Sequence, residues 1–195
     1  NTVIGTAVGE QLLGTNDSDL IQGLAGDDRI YGFSGNDQLE GGADNDRLQG
    51  GNGSNVDSGD DILIGGDGND ILVGEDGDDR LEGGTGGDHY YYSANTGVDL
   101  IIDAEDGQDV LFFLDAAATH LSFHQDNQDL VVLVDNDLLQ QVRVASHFES
   151  VNSEIIVQPN GGYPLFPSDI LTILTPLPST DGGSDGGGDS GSGGG

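Results

Sequence analysis

Eight aspartates carry the chemistry available to this sequence: Asp19, Asp28, Asp37, Asp46, Asp61, Asp70, Asp79 and Asp88. Each stands two positions before a large apolar residue, and every interval but one is nine residues. Stacked in a regular structure, such carboxylates form rows about 4.8 Å apart. Rows of carboxylates repel unless a cation sits between them. The chain has no Cys, and no His falls in register with the aspartates. Hard oxygen ligands, carboxylates plus the carbonyls of Gly turns, select Ca²⁺ over zinc or copper. A lone GGxGxD is a surface turn, whereas about eight copies in register read as a metal-binding array.

The aspartates belong to a unit that repeats from Gly14 to Tyr91. Its copies are GTNDSDLIQ, GLAGDDRIY, GFSGNDQLE and GGADNDRLQ, then GGDGNDILV, GEDGDDRLE and GGTGGDHYY. The pattern is Gly-Gly-x-Gly-x-Asp-x-aliphatic-x. Six places rich in Gly, Asn and Asp favour a turn, because those residues tolerate positive φ. The remaining three places are too short for a helix and suit a strand whose middle side chain points opposite to its neighbours. That middle place holds Ile21, Ile30, Leu39, Leu48, Leu63, Leu72, Leu81 and Tyr90. Two successive units make a coil, and stacked coils bury a thin aliphatic ladder between two parallel sheets. Asp17 and Asp44 stand where the second-turn Gly belongs, and Asp is among the residues that tolerate the left-handed region.

These repeats resemble the calcium-binding nonapeptide of RTX (haemolysin-type) proteins. The resemblance covers Gly14 to Tyr91 and implies an all-β fold, a right-handed parallel β-roll followed by a β-rich capping module. It also implies a ligand set. The lower turn gives carbonyls from places two and four, the upper turn from places one and three, and both give the Asp. One such site takes Leu24, Gly26 and Asp28 with Gly41, Ala43 and Asp46. Another takes Gly66, Gly68 and Asp70 with Gly83, Thr85 and Asp88. The same rule marks Gly32, Phe33, Ser34 and Gly35, and likewise Gly65, Asp67, Gly74 and Asp76. It implies several Ca²⁺, roughly five to eight ions.

The chain has 195 residues, 36 of them acidic against four Arg, for a formal charge of −32. Such a balance excludes nucleic acid as a partner. It also predicts a metal-free chain that is expanded by self-repulsion and short of core. No apolar run is long enough to span a bilayer, and Asn1-Thr-Val-Ile-Gly lacks the basic n-region of a signal peptide. The expected layout is an N-terminal cap over 1–13, in which Val8 and Glu10 stand where Gly and Asp belong. The roll follows over 14–92, a capping module over 93–175 and a flexible acidic linker over 176–195. In the irregular stretch after Gly50 a turn begins but its strand is missing, which reads as a widened turn. There Asn55 and Asp57 are either extra oxygen ligands or part of a solvated bulge.

Beyond Tyr92 six strands are expected: Val98 to Asp103, Asp109 to Leu114, Leu121 to Gln125, Leu130 to Asp135, Gln141 to Ala145 and Glu154 to Gln158. Asp126-Asn127 and Asn136-Asp137 suit hairpin turns. This half resembles the module that often follows RTX repeats, through Gly97, Asp99, Ile101 and Asp103, the DLVV strand and the late Ser168-Asp-Ile170. It is expected to cover the open end of the roll. Gly97, Asp99, Asp106 and Asp109 either hold a further ion or form ordinary turns. The linker composition predicts that further domains of the same polypeptide follow.

No catalytic constellation emerges. His120 and His124 have a zinc-like spacing but lack the glutamate of H-E-x-x-H, and a surface role is expected for them. The reading is therefore a non-catalytic, extracellular calcium-binding module. By resemblance it leaves a Gram-negative bacterium through type I secretion. The alternatives are a module binding carbohydrate or a surface ligand, as in RTX adhesins and alginate epimerases, and a structural role in a surface layer or fibre. Places seven and nine are polar in most units, but Ile62 and Ile64, then Ile71 and Val73, are apolar. They are either isolated exposed pairs, or one is covered by the Val98 to Gln158 module while the other awaits a partner.

Overall fold

A strand with one inward apolar side chain has nothing to bury it against, so successive units must face each other. The computed structural model describes residues 1–51, 59–93, 97–102, 107–145 and 156–165. In it the units alternate between two parallel sheets. The first sheet stacks β1 (Thr2–Ile4), β3 (Leu20–Ala25), β5 (Gln38–Ala43), β7 (Ile62–Asp67), β9 (Arg80–Thr85) and β11 (Val98–Ile102). The second stacks β2 (Gln11–Leu13), β4 (Arg29–Tyr31), β6 (Arg47–Gln49), β8 (Ile71–Val73), β10 (His89–Tyr92) and β12 (Val110–Phe113). One coil is two units: Ile21 pairs with Leu39 and Ile30 with Leu48. Together these form the parallel β-roll.

Place eight is the core. Ile21, Ile30, Leu39, Leu48, Leu63, Leu72 and Tyr90 are fully buried, and Leu12 closes the lower end. In the first sheet β3, β5, β7 and β9 are longer than the three residues expected. They run on through places one to three, where Leu24 pairs with Gly42 and Ala25 with Ala43. β1 and β2 already form a coil in register with the one above, Val3 on Ile21 and Leu12 on Ile30.

The irregular stretch is absorbed without loss of register, since Leu39 still pairs with Leu63. Gly50 and Gly51 keep places one and two, their amides bonding to Val73 and Gly74 carbonyls at 2.9 and 3.2 Å. Gly59, at φ +102°, lies against the Gly35 carbonyl and takes place four. Places one, two and four of the turn are thus kept on either side of the insertion. Asn55 and Asp57 lie outside the described residues.

Past Tyr92 the same two sheets continue, with β11 on β9 and β12 on β10. The first sheet then turns antiparallel through β13 (Leu121–Asp126), β14 (Asp129–Val134) and β15 (Asp137–Val144), with β15 against β11. β16 (Ile156–Gln158) extends the second sheet. The β14–β15 loop is Asp135-Asn136, both at positive φ (54° and 60°), the type I′ geometry that matches strand twist. Asn127, at φ 58°, opens the β13–β14 loop. All six expected strands are present.

These strands extend the sheets at their edges instead of folding back over the apolar pairs. Ile62 and Ile64 lie on β7 and Ile71 and Val73 on β8, on opposite sheets, with Ile62 exposed and the others half-buried. His124 departs from the surface expectation. It is buried on β13, opposite Val131, with its ring nitrogen 3.0 Å from Ser122 Oγ. His120 is exposed in a short 3₁₀ turn, Ala118–His120.

Candidate metal centre

Each place-six aspartate is held by the coil below it. The Asp19 amide donates to Asp37 Oδ1, Asp37 to Asp61 and Asp61 to Asp79, each at 2.8 Å. On the opposite turn Asp28 donates to Asp46, Asp46 to Asp70 and Asp70 to Asp88, at 2.7–2.8 Å. The stacking expected from the spacing thus takes the form of two rung-like ladders, each oxygen Oδ1 tied to a backbone amide. Both ladders run on beyond the nonapeptides. Asp79 donates to Asp99 Oδ1 at 3.2 Å and Asp88 to Asp109 Oδ1 at 2.7 Å. For Asp99 and Asp109 the sequence allows either an ion ligand or an ordinary turn. Their signal is the retained spacing of places four, six and eight, Gly97-Asp99-Ile101 and Gly107-Asp109-Leu111, with both glycines at φ +120°. Asp106 lies outside the described residues.

The second oxygen is the informative one. Oδ2 of Asp28, Asp37, Asp46, Asp61, Asp70 and Asp79 is buried without a hydrogen-bond partner. It lies beside the place-one glycine of its own unit and near the place-one carbonyl of the coil above. A Cβ on Gly32 would collide with Asp37 Oδ2 and stand 2.7 Å from the Gly50 carbonyl. A Cβ on Gly23 would collide with Asp28 Oδ2 and stand 2.6 Å from the Gly41 carbonyl. Glycine at place one is therefore set by the close approach of a carboxylate and a carbonyl. A buried charged oxygen without partners is costly, and here the same oxygen recurs coil after coil.

Burial first, and then like charge on neighbouring rungs, pushes these carboxyls up against the pull of the rung amides. Asp37 and Asp46 rise to about 6, Asp70 to about 7, Asp61 and Asp99 to about 8, and Asp79 to about 9. Asp28 is raised for the same reason. At Asp19 burial also acts upward, but bonds from the Asn1 nitrogen and from Thr15 outweigh it and the carboxyl lies below its ordinary value.

The expected ligand sets come together as adjacent turns. Leu24–Asp28 lies against Gly41–Asp46, with the Gly26 amide 3.0 Å from the Ala43 carbonyl. Gly66–Asp70 lies against Gly83–Asp88, with the Gly68 amide 2.8 Å from the Thr85 carbonyl. Gly65 and Asp67 stack over Gly41 and Ala43. On the other turn the Phe33 amide reaches the Gly50 carbonyl at 2.8 Å, and the Gly74 carbonyl lies 2.7 Å from where a Gly50 Cβ would be. Gly35 holds place four at φ +100°, the Ser34 amide reaches the Thr15 carbonyl, and Asp76 follows in the Gly74 turn. Asp44 sits at φ 78°, whereas Asp17 stays out of the left-handed region. Among the described residues no three His, Cys, Asp or Glu side chains gather at one point. Any site here is built from two carboxylates and main-chain carbonyls, a donor set suited to a hard cation.

A second ladder runs the other way. At place five the acceptor is on the lower coil: Asn69 donates its amide to Asn45 Oδ1 and Gly87 to Asn69 Oδ1, both at 2.8 Å. Each turn is thus pinned from both sides, and the orphaned Oδ2 atoms face a fixed frame.

The family model for the RTX calcium-binding nonapeptide repeat (four copies) matches residues 13–48, 31–56 and 57–90. No curated protein sequence matches the chain. Among solved structures, the extracellular lipase LipA from Serratia marcescens is similar at 17% identity, covering 80% of this chain and 40% of the lipase, with a TM-score of 0.32. The chain thus spans 40% of the length of that lipase. A repeat subunit of the Azotobacter vinelandii mannuronan C5-epimerase is similar at 20% identity, covering 97% of this chain and 90% of that subunit, with a TM-score of 0.23.

Proposed function

We propose that the orphaned ladder oxygens are the calcium ligands of a folding switch, a reading supported by the match of residues 13–90 to the RTX calcium-binding nonapeptide repeat. The bare oxygens run through Asp28, Asp46 and Asp70 on one turn and through Asp37, Asp61 and Asp79 on the other. Where both turns lie within the described residues, carbonyls of places two and four below, and of places one and three above, complete the set. The observation that carries this reading is the buried, unpartnered Oδ2 repeated from coil to coil.

Without metal the rungs repel, and the single place-eight side chain per strand gives little apolar burial in return. Calcium, when bound, supplies the positive charge the rungs lack. The carboxylates then hold successive turns at sheet spacing, and binding free energy becomes folding free energy. Extracellular calcium modules bind at about 10⁻⁴–10⁻³ M. The chain accordingly stays unfolded where calcium is scarce and folds outside the cell. We place it as a non-catalytic module of a larger secreted polypeptide exported by type I secretion, a reading supported by the acidic Gly/Ser linker composition after Pro176.

A second reading rests on the outer face of the second sheet. There Tyr91 and Phe112 stack at 4.8 Å with His89 edge-on to Phe112 at 5.2 Å, a flat face suited to a sugar ring. Tyrosine fluorescence titrated with an oligosaccharide tests it, and an unchanged signal removes it.

Circular dichroism tests the switch. In excess chelator the spectrum is expected to be that of a disordered chain, and millimolar Ca²⁺ restores β-structure. Mg²⁺, which dehydrates reluctantly, fails to do so. A full β-signal in chelator sinks the proposal.

A further inference from the structure

The two lowest rungs differ from those above them. Place two is Thr6 in the coil that opens at Gly5 and Thr15 in the next unit; higher up it is Leu24, Phe33, Gly42 and their successors. Thr15 donates its amide to Asp19 Oδ2 at 2.6 Å and its hydroxyl to the same oxygen at 2.9 Å. This oxygen is the one that stands bare in Asp28, Asp37 and Asp46. Asp19 Oδ1 is paired at 2.8 Å with the amino nitrogen of Asn1, an ion pair where the place-six amides higher up make hydrogen bonds. Thr6 treats Glu10 alike, with its amide 2.8 Å from Oε2 and its hydroxyl 2.9 Å from Oε1.

Two donors aimed at one carboxylate do locally what a cation does: they satisfy its lone pairs and stabilise its charge. Higher in the roll the place-two amide is turned elsewhere. Phe33 gives it to the Gly50 carbonyl and Gly51 to the Gly74 carbonyl, which leaves the carboxylate of the same unit without a protein donor for Oδ2. A glycine at place two has no hydroxyl to offer in any case.

We infer that Thr6 and Thr15 close the lower ends of both rows with protein donors, so that Glu10 and Asp19 hold no calcium and the ion rows begin at Asp28 and Asp37. The inference rests on the reading of the bare Oδ2 atoms as calcium ligands. Asp19, which its spacing alone places among the ligands, becomes the cap of its row. The lowest coil then needs no metal to settle its charges. It offers β3 and β4 a template on which the first ion-binding coil is laid.

The test counts calcium bound to the full chain by equilibrium dialysis, with circular dichroism confirming the fold in calcium. Asp19→Asn is expected to bind as many ions as the wild type, whereas Asp37→Asn binds at least one fewer. Thr15→Gly removes the hydroxyl and restores glycine at place two, and it is expected to bind one ion more. Loss of an ion in Asp19→Asn overturns the inference. If Asp19→Asn fails to fold, the Thr15→Gly count decides, and an unchanged count there overturns it. An unchanged count in Asp37→Asn points to a different failure: the ladder oxygens are then not ligands, and the closure falls with them.

Discussion

In the hairpins after Leu121 two carboxylates meet an arginine; in the coils below, the carboxylates meet one another. Arg143 reaches Asp129 and Asp126 at 2.8 Å each, across three antiparallel strands that also bury Phe123, Leu130, Val132, Val134, Val142 and Val144. The hydrogen bonds that Arg143 donates to Asp129 and Asp126 raise its pKa against desolvation. The roll buries one place-eight side chain per strand and stacks its place-six aspartates rung on rung. Both regions share the same two sheets. What differs is where the compensating charge comes from: the hairpins carry theirs in the sequence, and the coils must take it from solution.

The largest expected effect of that difference is regional. On calcium removal, amide hydrogen exchange should accelerate most in Leu20–Ala25 and Gln38–Ala43 and least in Asp129–Val134, whose strand is flanked on both sides. Equal loss of protection in the two regions would break the comparison. Next comes a change within one row. Asp70→Ala removes a proposed ligand and also the acceptor of the Asp46 amide, which alone is worth about 1–3 kcal/mol when left buried and unpaired. Because each Asp faces two gaps, calorimetry should show more than one ion lost. Loss of one ion with the rest unchanged would contradict the stacked arrangement.

Protons should partly replace the metal. The ladder carboxyls sit above the ordinary 3.8 in the folded chain, at about 6 for Asp46 and about 9 for Asp79. The folded state therefore binds more protons than the unfolded one. Its metal-free stability is fully present below about pH 4 and is lost as pH rises through about 6 to 9. Calcium-stripped protein should accordingly show more β-signal at pH 4 than at pH 8, and a signal that grows toward pH 8 would reverse the assignment. The smallest effect belongs to the hairpins. Arg143→Ala breaks two partly exposed pairs and is expected to cost about 1 kcal/mol or less, with the calcium count unchanged; a lower count would tie the hairpin to the rows.

Much of the roll was legible because its period fixes everything else. Place eight points inward by alternation, so Ile21, Leu39 and Leu63 had to stack. Place six recurs with it, so the carboxylates had to form rows. The hairpin turns were legible from Asn127 and Asn136, residues that accept positive φ. Features that break the period without breaking the geometry were harder to read. Asp99 and Asp109 keep places four, six and eight but lack the Gly-Gly that announces a unit. Gly59 keeps place four after an insertion that hides its relation to Gly50. Spacing alone does not show that the Thr15 hydroxyl turns back on Asp19. His124 was misjudged because its burial depends on strands distant in sequence. The same limit applies to the apolar pairs: cover by the later strands was one of two readings, and those strands prolong the sheets instead.

The most direct test is a crystal structure of the chain grown in calcium. An ion is expected in each gap above Asp28, Asp37, Asp46, Asp61 and Asp70, with the bare Oδ2 of that residue at about 2.3–2.6 Å from it and carbonyls completing the shell. Turns that hold only water, or carboxylates swung out to solvent, would contradict the account.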